Sequence, residues 1–370
     1  MKKLIALTLA LLLLLAMAGC QKDEKSADNG ALYVMTRESY YDEDGICWKR
    51  LDYTYDDAAQ MLEMNVYLIE RQQILDPEWN YYVDYYDANS PLNLYGTVQR
   101  EYDENGNITA YSNPEFIWFG LNGIYDWSYE NGRPEGYTFT YENVDTSLVQ
   151  ACFEYDKSGN IVRIYNIRDN DERDAVLYEY DKAGRLTREI TASKDGFVCE
   201  KTYTYENGCL SSVQLRMGTC FYGDGSAHWA DNLSVSCTYK FRYDGKKNLT
   251  EVEYYDAESD CVETAKCYYD ANGYPTEVQT DGETQAVFTC DEHGNITKIE
   301  YADGTFVEYE YKAMKVTAQQ AAYYRRRLGI DNRSDHVNSV LMNINYDVAF
   351  YYLIPNPLFD LPYFLQFLCS

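Results

Sequence analysis

The side chains that most often perform catalysis form no recognisable constellation in this sequence. Histidine occurs at His228, His293 and His336, and no Ser/His/Asp or Cys/His set can be singled out around them. Asp and Glu together number 60, so a pair of carboxylates for glycoside hydrolysis can be chosen almost anywhere and carries no information. The sequence therefore predicts a protein without catalytic residues or a cofactor.

A metal site is not indicated either. The cysteines form no CxxC pair, and no acidic segment has the spacing of an EF-hand loop. The aspartates at Asp103, Asp156 and Asp181 offer oxygen ligands for calcium, but hydrogen bonding inside a turn already accounts for one Asp per turn. We predict no bound metal.

The thiol of Cys20 has the clearest chemical role. Lys2 and Lys3 precede an apolar run over 4–18, which is shorter than the roughly 20 residues that a membrane-spanning helix needs. The run ends in Met-Ala-Gly-Cys, which resembles the lipobox of bacterial lipoproteins, although Met17 stands where that family usually has Leu. The resemblance implies cleavage before Cys20, a lipid on its thiol, and a protein held at the extracytoplasmic face of the cell membrane. An ordinary secretion signal with an incidental cysteine is the alternative.

Charge and composition restrict the partners of this chain. Its formal net charge is -28, and nucleic acid is therefore excluded as a partner, because phosphate binding needs clustered Lys and Arg. An anionic lipid surface would repel the body, so the lipid itself must hold it. The 40 tyrosines favour strands and a half-exposed sheet.

An internal repeat dominates the sequence after the first 30 residues. Its best copies are YDEDG, YDENGNI, YDKSGNI, YDKAGRL and YDANGYP, which begin at Tyr41, Tyr102, Tyr155, Tyr180 and Tyr269. CDEHGNI keeps the frame with Cys290 in place of Tyr, and weaker copies begin at positions 129, 205 and 243. Such a repeat predicts one supersecondary unit used many times.

The repeat has the chemistry of a hairpin turn. Asp156 to Gly159 fit a type I turn, in which the Asp side chain accepts hydrogen bonds from turn amides and the Gly adopts a positive φ. In the shorter copies, Asn131-Gly132 and Asn207-Gly208 suit a two-residue type I′ turn. Both kinds of turn join antiparallel strands.

The flanks of the turns predict strands with one aromatic face. An aromatic stands two residues before the Tyr, as at Phe153 and Tyr155, so both rings lie on one face. After the turn, Ile161 and Ile164 are three apart, which predicts a bulge that keeps both on the buried face. A single hairpin cannot bury that face, so we expect hairpins to stack into a solenoid or a curled sheet.

The motif resembles the YD repeat, the tyrosine-aspartate repeat of Rhs-type and teneurin-like proteins. The resemblance spans roughly Tyr33 to Tyr311 and implies a β-hairpin array, often wound into a shell or spiral, on exported or surface proteins. It implies no activity for the repeats. The core end and toxin domain of large Rhs proteins are not recognisable, and the chain is too short for a large closed shell.

The predicted organisation has four parts. These are a lipoprotein signal peptide over 1–19, a lipidated cysteine with a flexible tether over 20–30, an all-β YD-repeat domain over 31–311, and a C-terminal cap over 312–370. The cap is predicted to contain a short helix over 317–328, capped by Thr317 and stopped by Gly329, and an apolar segment over 340–368. We expect the cap to cover the open edge of the last repeat; an assembly surface is the alternative.

Two irregular segments interrupt the repeat. The segment 113–127 contains Trp118 and Trp127, whose rings are weak candidates for ligand binding; a local core plug is the alternative. The segment 216–237 is predicted to be a long loop.

These observations lead to one preferred function and two alternatives. We expect a membrane-anchored extracytoplasmic protein with a binding or structural surface role and no catalysis, whose ligand is a cell-wall glycan or a surface protein. The first alternative is a surface enzyme that acts on glycans, with its site in 113–127 or 216–237. The second is an accessory component of an Rhs-like toxin system.

Overall fold

The described part of the chain is made of antiparallel β-strands. The computed structural model describes residues 31–69, 71–76, 81–86, 90–104, 108–113, 123–130, 133–141, 149–168, 171–192, 197–219, 221–223, 226–228, 233–258 and 260–317. The predicted signal peptide, Cys20 and the predicted tether lie outside these residues, as does the candidate helix beyond Thr317. The described residues contain no helix, and therefore none that could cross a membrane.

Twenty of the strands belong to one sheet. They are β1 (Ala31–Tyr41), β2 (Cys47–Tyr55), β3 (Met61–Ile69), β6 (Leu92–Tyr102), β7 (Ile108–Asn113), β8 (Gly123–Glu130), β9 (Arg133–Tyr141), β10 (Val149–Tyr155), β11 (Ile161–Arg168), β12 (Asp171–Tyr180), β13 (Leu186–Ala192), β14 (Phe197–Glu206), β15 (Cys209–Thr219), β18 (Ser234–Tyr243), β19 (Leu249–Tyr255), β20 (Cys261–Tyr269), β21 (Pro275–Thr280), β22 (Glu283–Cys290), β23 (Ile296–Tyr301) and β24 (Phe306–Lys315). Two separate hairpins are formed by β4 (Arg71–Asp76) with β5 (Tyr81–Tyr86), and by β16 (Phe221–Gly223) with β17 (Ser226–His228).

The large sheet is closed on itself. Each strand pairs with the next one of the sheet along the chain, and β24 pairs with β1 over ten residue pairs, from Ala31 with Lys315 to Tyr41 with Phe306. Every one of the 20 strands therefore has a hydrogen-bonded neighbour on both sides. The ring has no free strand edge at which another chain could add.

This closure corrects the predicted architecture. The all-β class and the antiparallel hairpin units are confirmed. Of the two predicted arrangements, the solenoid is wrong, and the sheet instead curls until β1 and β24 join its two ends. The edge that the C-terminal cap was expected to cover is occupied by β1. Strand β24 also continues past Tyr311 to Lys315, into the range that was assigned to the cap.

The antiparallel order gives the ring two rims of different composition. We call one the Tyr-Asp rim; it carries the connections that follow β2, β6, β8, β10, β12, β14, β18, β20 and β22. Strand β1 begins and β24 ends at this rim. The opposite rim carries the other connections, including those between β7 and β8 and between β15 and β18.

The turns have the predicted chemistry. The amide of Gly159 donates to the carbonyl of Asp156 (3.1 Å), and Gly159 has a φ of 89°. Oδ1 of Asp156 accepts hydrogen bonds from the amides of Ser158 (2.8 Å) and Asn160 (2.9 Å). At the shorter turn, Asn207 and Gly208 both have positive φ, as a type I′ turn requires.

The predicted bulge is also confirmed. Tyr155 pairs with Ile161 and Glu154 with Arg163, so Val162 is the extra residue on the second strand. Because of this extra residue, Ile161 and Ile164 point to the same face and both are buried. The same register shift occurs beside Tyr180, Tyr243 and Tyr269.

The tyrosine of the repeat ties neighbouring hairpins together. The hydroxyl of Tyr180 donates to the carbonyl of Ile161 (2.8 Å), which is the first residue of the adjacent strand β11. The equivalent bonds join Tyr205 to Leu186 (2.9 Å), Tyr269 to Leu249 (2.7 Å), Tyr311 to Ile296 (2.9 Å) and Tyr102 to Met61 (2.7 Å). Where Cys290 replaces Tyr, its Sγ points to the equivalent carbonyl of Pro275 (3.8 Å). Burial raises the pKa of Tyr180 to about 12, so the donor proton is retained at neutral pH.

Removing one such hydroxyl should destabilise the ring measurably. We expect Tyr269→Phe to lower the free energy of unfolding by about 1 kcal/mol, because the half-buried Leu249 carbonyl loses its donor. The matched control is Tyr268→Phe, whose hydroxyl bonds the Gln279 side chain on the exposed face and should be close to neutral. Urea unfolding of both variants measures the difference, and equal losses would contradict this role for Tyr269.

The inner face of the ring forms the main core. Along β22, Ala286 and Phe288 are buried whereas Val287 between them is 42% exposed, as expected for a sheet with one buried face. The buried set continues around the ring through valines, isoleucines and tyrosines, with Ile296 and Ile299 fully buried. Tyrosine thus supplies much of the core and, through its hydroxyl, part of the hydrogen bonding.

The segment 216–237 differs from the predicted long loop. Strand β15 continues to Thr219, the hairpin of β16 and β17 follows, and β18 begins at Ser234. Leu233 packs against Val198 and Ile190 on the outer face of the ring, and its carbonyl accepts a hydrogen bond from Arg216 (2.8 Å). The insertion is therefore fixed to the outer wall at this point.

Candidate functional site

One of the two candidate ligand-binding tryptophans, Trp127, is partly buried against the core. Trp127 lies in β8, and its ring is 5.0 Å from that of Tyr137 and 6.1 Å from that of Phe153, between centroids. It packs against the main core cluster, and this contact favours a structural role for Trp127 over ligand binding. Trp118 lies outside the described residues.

The histidines are not brought together in the described structure. His293 lies in the turn between β22 and β23, where its ring stacks on Tyr33 at 4.4 Å and its Nε2 lies 3.0 Å from the Tyr33 hydroxyl. The backbone of His228 belongs to β17, and His336 lies outside the described residues. The contact of His293 fixes the start of β1 to the Tyr-Asp rim, which is a structural role.

The turn aspartates already have partners for their oxygens. Besides the two amides on Oδ1, Oδ2 of Asp156 accepts from the Asn160 side chain (2.9 Å), and Oδ2 of Asp181 accepts from Arg185 (2.8 Å). These hydrogen bonds, chiefly from the amide four residues ahead, lower the pKa of both carboxyls. Within the described ranges, no three His, Cys, Asp or Glu side chains are grouped so that they could hold a metal ion. The turn geometry gives no support to calcium sites at these aspartates.

A cleft in the outer wall gathers polar side chains from strands that are distant in sequence. It has a volume of about 340 Å³ and lies where β1 meets β2 and β24. We call it the outer-wall cleft; its lining residues are Arg37, Ser39, Tyr41, Cys47, Arg50, Leu92, Thr297, Glu308, Tyr309 and Glu310. Arg37, Ser39 and Tyr41 alternate along β1 with inward-facing residues, so the strand presents all three to the cleft.

Two guanidinium groups and the carboxylates paired with them carry the charges of the outer-wall cleft. Nε of Arg37 lies 2.6 Å from Asp52, and its Nη1 lies 3.1 Å from Glu310. Arg50 shares Asp52 (3.1 Å), and its guanidinium lies over the ring of Tyr67 at 4.4 Å. The hydrogen bond to Asp52 is the main reason why the pKa of Arg37 is raised. These contacts hold the side chains of both arginines in place at the edge of the cleft.

The remaining lining residues add hydroxyl, thiol and aromatic groups. The ring of Tyr41 stacks on Phe306 with centroids 4.4 Å apart, and Ser39 is buried beneath it. Burial raises the pKa of both the Tyr41 hydroxyl and the Cys47 thiol, so both remain protonated at neutral pH. The cleft thus offers donors, acceptors and an aromatic ring, a combination that suits a small polar ligand.

Little in the sequence indicates this cleft. Most of its residues come from the first, second and last strands of the ring, with Leu92 from β6 and Thr297 from β23. The proximity of the first and last strands depends on the pairing of β1 with β24. One signal was available: Arg37, Arg50 and Asp52 are charged residues within otherwise Tyr-rich strands. All eight cysteines in the described ranges are free, so disulfides between them do not contribute to the site.

Comparison with known proteins shows distant structural likeness. No protein-family model matches the chain, and no curated protein matches it. The chain is similar to the Photorhabdus luminescens Tc holotoxin pore (15% identity, TM-score 0.32, 69% of this chain) and to the TcdB2-TccC3 complex (16% identity, TM-score 0.32, 69% of this chain). It spans only 14% and 15% of those toxin chains.

A second kind of neighbour is a porin-like protein from Bacteroides uniformis. Its identity is 10% and its TM-score 0.32, with 75% of this chain and 98% of that chain covered. All of these TM-scores are below 0.5, so these likenesses establish no function for this chain.

Proposed function

We propose that this chain is a lipid-anchored binding protein at the extracytoplasmic face of a bacterial cell membrane, and that it binds a small polar ligand such as a cell-wall saccharide. The observation that carries this proposal is the outer-wall cleft, where Arg37 and Arg50 stand beside Glu308, Glu310 and hydroxyl groups. The anchor is supported by the lipobox-like sequence that ends in Cys20.

The rest of the repeat supports a scaffolding role for the ring itself. The tyrosine hydroxyls and turn carboxylates that recur through the chain bind backbone groups of their own or neighbouring hairpins. Their hydrogen-bonding capacity is largely used within the fold, which leaves ligand recognition to side chains outside the motif. The cleft is a place where such side chains meet around a defined volume.

Ligand binding can be tested on the full-length protein in detergent micelles with a glycan and cell-wall array. We expect saturable binding that Arg50→Ala weakens at least about tenfold, as is typical when a charged hydrogen-bond donor is removed from a polar ligand. Calcium should have no effect. The matched control is Arg163→Ala, because Arg163 also lies over a tyrosine ring (4.4 Å) and pairs with a glutamate (3.2 Å), but on β11. Equal losses in the two variants, or no loss at Arg50→Ala, would reject the cleft as the binding site.

The anchor is tested on the same preparation. Mass spectrometry of the mature N-terminus should find a peptide that begins at Cys20 and carries a diacylglyceryl group. Cys20→Ser should lack this modification and leave the membrane fraction. An unmodified mature Cys20 would refute the anchoring proposal without affecting the result for the cleft.

A further inference from the structure

One row of charges in the outer-wall cleft is paired within the protein. Strand pairing places Arg37 of β1 between Asp52 of β2 and Glu310 of β24. Residues paired across antiparallel strands point to the same face of the sheet. Arg37 accordingly contacts both carboxylates, Asp52 at 2.6 Å and Glu310 at 3.1 Å. A cation with an acid on each side has much of its hydrogen-bonding capacity used by the fold.

The neighbouring row has a cation and an anion but no charge between them. Two residues further along β1, Ser39 is paired with Arg50 of β2 and with Glu308 of β24. Neighbouring strands lie about 4.8 Å apart, so the backbones of Arg50 and Glu308 are roughly 10 Å apart across the short serine. No ion pair joins Arg50 to Glu308 in the described structure. The row therefore leaves a gap between two opposite charges.

The guanidinium of Arg50 is held in place but keeps donors available. It lies over the ring of Tyr67 at 4.4 Å, and its Nε lies 3.1 Å from Asp52 without forming a hydrogen bond to a described residue. A stacked guanidinium carries its N–H donors in its own plane, directed past the ring. The Arg50 side chain is 31% exposed. By contrast, a carboxylate accepts a hydrogen bond from each of Arg163, Arg185, Arg188, Arg216 and Arg242.

The carboxylate of Glu308 forms no ion pair with another described residue. It is exposed and is paired across the sheet with Lys298 of β23, but Nζ of Lys298 lies 2.9 Å from Glu300 instead. Burial is the main cause of the raised pKa of the Tyr41 hydroxyl, and the nearby Cys47 and Glu308 add to it. Glu308 is therefore close to the aromatic wall of the cleft and can accept hydrogen bonds from a cation.

We infer that the outer-wall cleft binds a zwitterionic ligand, whose carboxylate contacts Arg50 and whose protonated amine contacts Glu308 across Ser39. This inference rests on ligand binding at the cleft, as proposed above, and names the chemistry of that ligand. With Asp52 included, the cleft holds three carboxylates against two guanidinium groups. A ligand with an acid alone would meet an excess of negative charge, and an amine on the same ligand offsets it. An amino sugar that bears a carboxylate and the free ends of a short peptide share this chemistry.

Calorimetric titration of the full-length protein in detergent micelles tests the inference with sugars that differ in charge. Muramic acid carries a protonated amine and a carboxylate, N-acetylmuramic acid keeps only the carboxylate, and glucosamine keeps only the amine. We expect saturable binding of muramic acid, and binding of each singly charged sugar that is weaker by about tenfold or more, because one charged hydrogen bond is lost. The dipeptide alanyl-alanine, compared with its N-acetylated form, tests a peptide as the source of the same chemistry.

A substitution at Glu308 tests its pairing with the amine. We expect Glu308→Gln to bind muramic acid about tenfold more weakly and to bind N-acetylmuramic acid with unchanged affinity, because that sugar has no charged amine. The matched control is Glu283→Gln, which removes the same charge from an exposed glutamate at the start of β22, outside the cleft. It should change neither affinity. Equal effects of the two substitutions would overturn the contact between Glu308 and the amine.

The outcomes separate this inference from the proposed function. Equal affinities for muramic acid and N-acetylmuramic acid, both lost in Arg50→Ala, would keep the cleft as a saccharide site and overturn the zwitterionic ligand. Binding of the dipeptide but not of muramic acid would support the zwitterionic ligand and overturn a saccharide as its source. If neither zwitterion binds, the inference is overturned, whereas the glycan and cell-wall array decides the proposed function on its own.

Discussion

Replacing Lys201 with methionine is expected to lower the free energy of unfolding by about 3–5 kcal/mol. Lys201 lies on the inner face of β14, where its side chain is 3% exposed and its Nζ is 2.6 Å from Glu189 on β13. The hydroxyl of Tyr203 also donates to Glu189 (3.2 Å). Removing the lysine leaves the Glu189 carboxylate buried with only this neutral donor, and a buried unpaired charge is costly.

A double-mutant cycle identifies the source of this loss. Glu189→Gln combined with Lys201→Met removes both charges and keeps an acceptor for Tyr203, so most of the stability should return. The control is Lys298→Met, whose ion pair with Glu300 (2.9 Å) lies on the exposed face and should be worth less than about 1 kcal/mol. Urea unfolding measures all the variants. A loss at Lys201→Met no larger than that at Lys298→Met would refute the buried-charge explanation.

Gly136→Ala is expected to destabilise the ring by about 3 kcal/mol through a steric conflict. A Cβ at Gly136 would lie 2.0 Å from the carbonyl oxygen of Ala151 and 3.3 Å from Cα of Cys152. Both contacts are with the backbone of β10, which pairs with β9 at this position, so no side-chain rotation relieves them. The two strands would have to separate, and the ladder between β9 and β10 would lose hydrogen bonds.

The control for this prediction is another glycine on the same ring. Gly245 has no heavy atom within 4 Å of the Cβ position, so Gly245→Ala should be neutral or slightly stabilising. Thermal unfolding followed by circular dichroism compares the two variants. Similar melting temperatures for Gly136→Ala and Gly245→Ala would show that β9 and β10 can separate without cost.

The local parts of the fold could be predicted because their causes are local. The Asp, the Gly and the residues between them determine the turn, as at Asp156 and Gly159. The three-residue spacing between Ile161 and Ile164 indicates the bulge. Alternation along a strand then fixes which face is buried. Each of these features depends on fewer than ten consecutive residues.

Ring closure could not be predicted because its cause lies in residues far apart in sequence. The pairing of Tyr33 with Ala313 has no signature in either segment, and any two exposed strand edges could pair in the same way. The number of hairpins and the twist of the sheet decide whether the ends of the array meet. The repeat pattern specifies the hairpin unit but does not specify whether the two ends of the array meet.

The recurring tyrosine bond could have been found from the sequence. Tyr180, Tyr205 and Tyr269 each stand 19 or 20 residues after the carbonyl that they bind, at the first residue of a strand. A half-exposed sheet, which the many tyrosines favour, predicts hydroxyls that face water, whereas these hydroxyls bind backbone carbonyls of the next hairpin. The outer-wall cleft had no comparable spacing, because most of its residues come from strands at opposite ends of the described chain.

Closure between β1 and β24 also determines the order of events during biosynthesis. Ribosomes add about 5–20 residues per second, so β1 exists for some tens of seconds before β24 is made. During that time the growing sheet has two exposed edges, the state in which strands of different molecules can pair. The contacts of greatest sequence separation are completed last, which favours slow folding. The molecule therefore keeps exposed strand edges, and with them a risk of aggregation, until β24 pairs with β1.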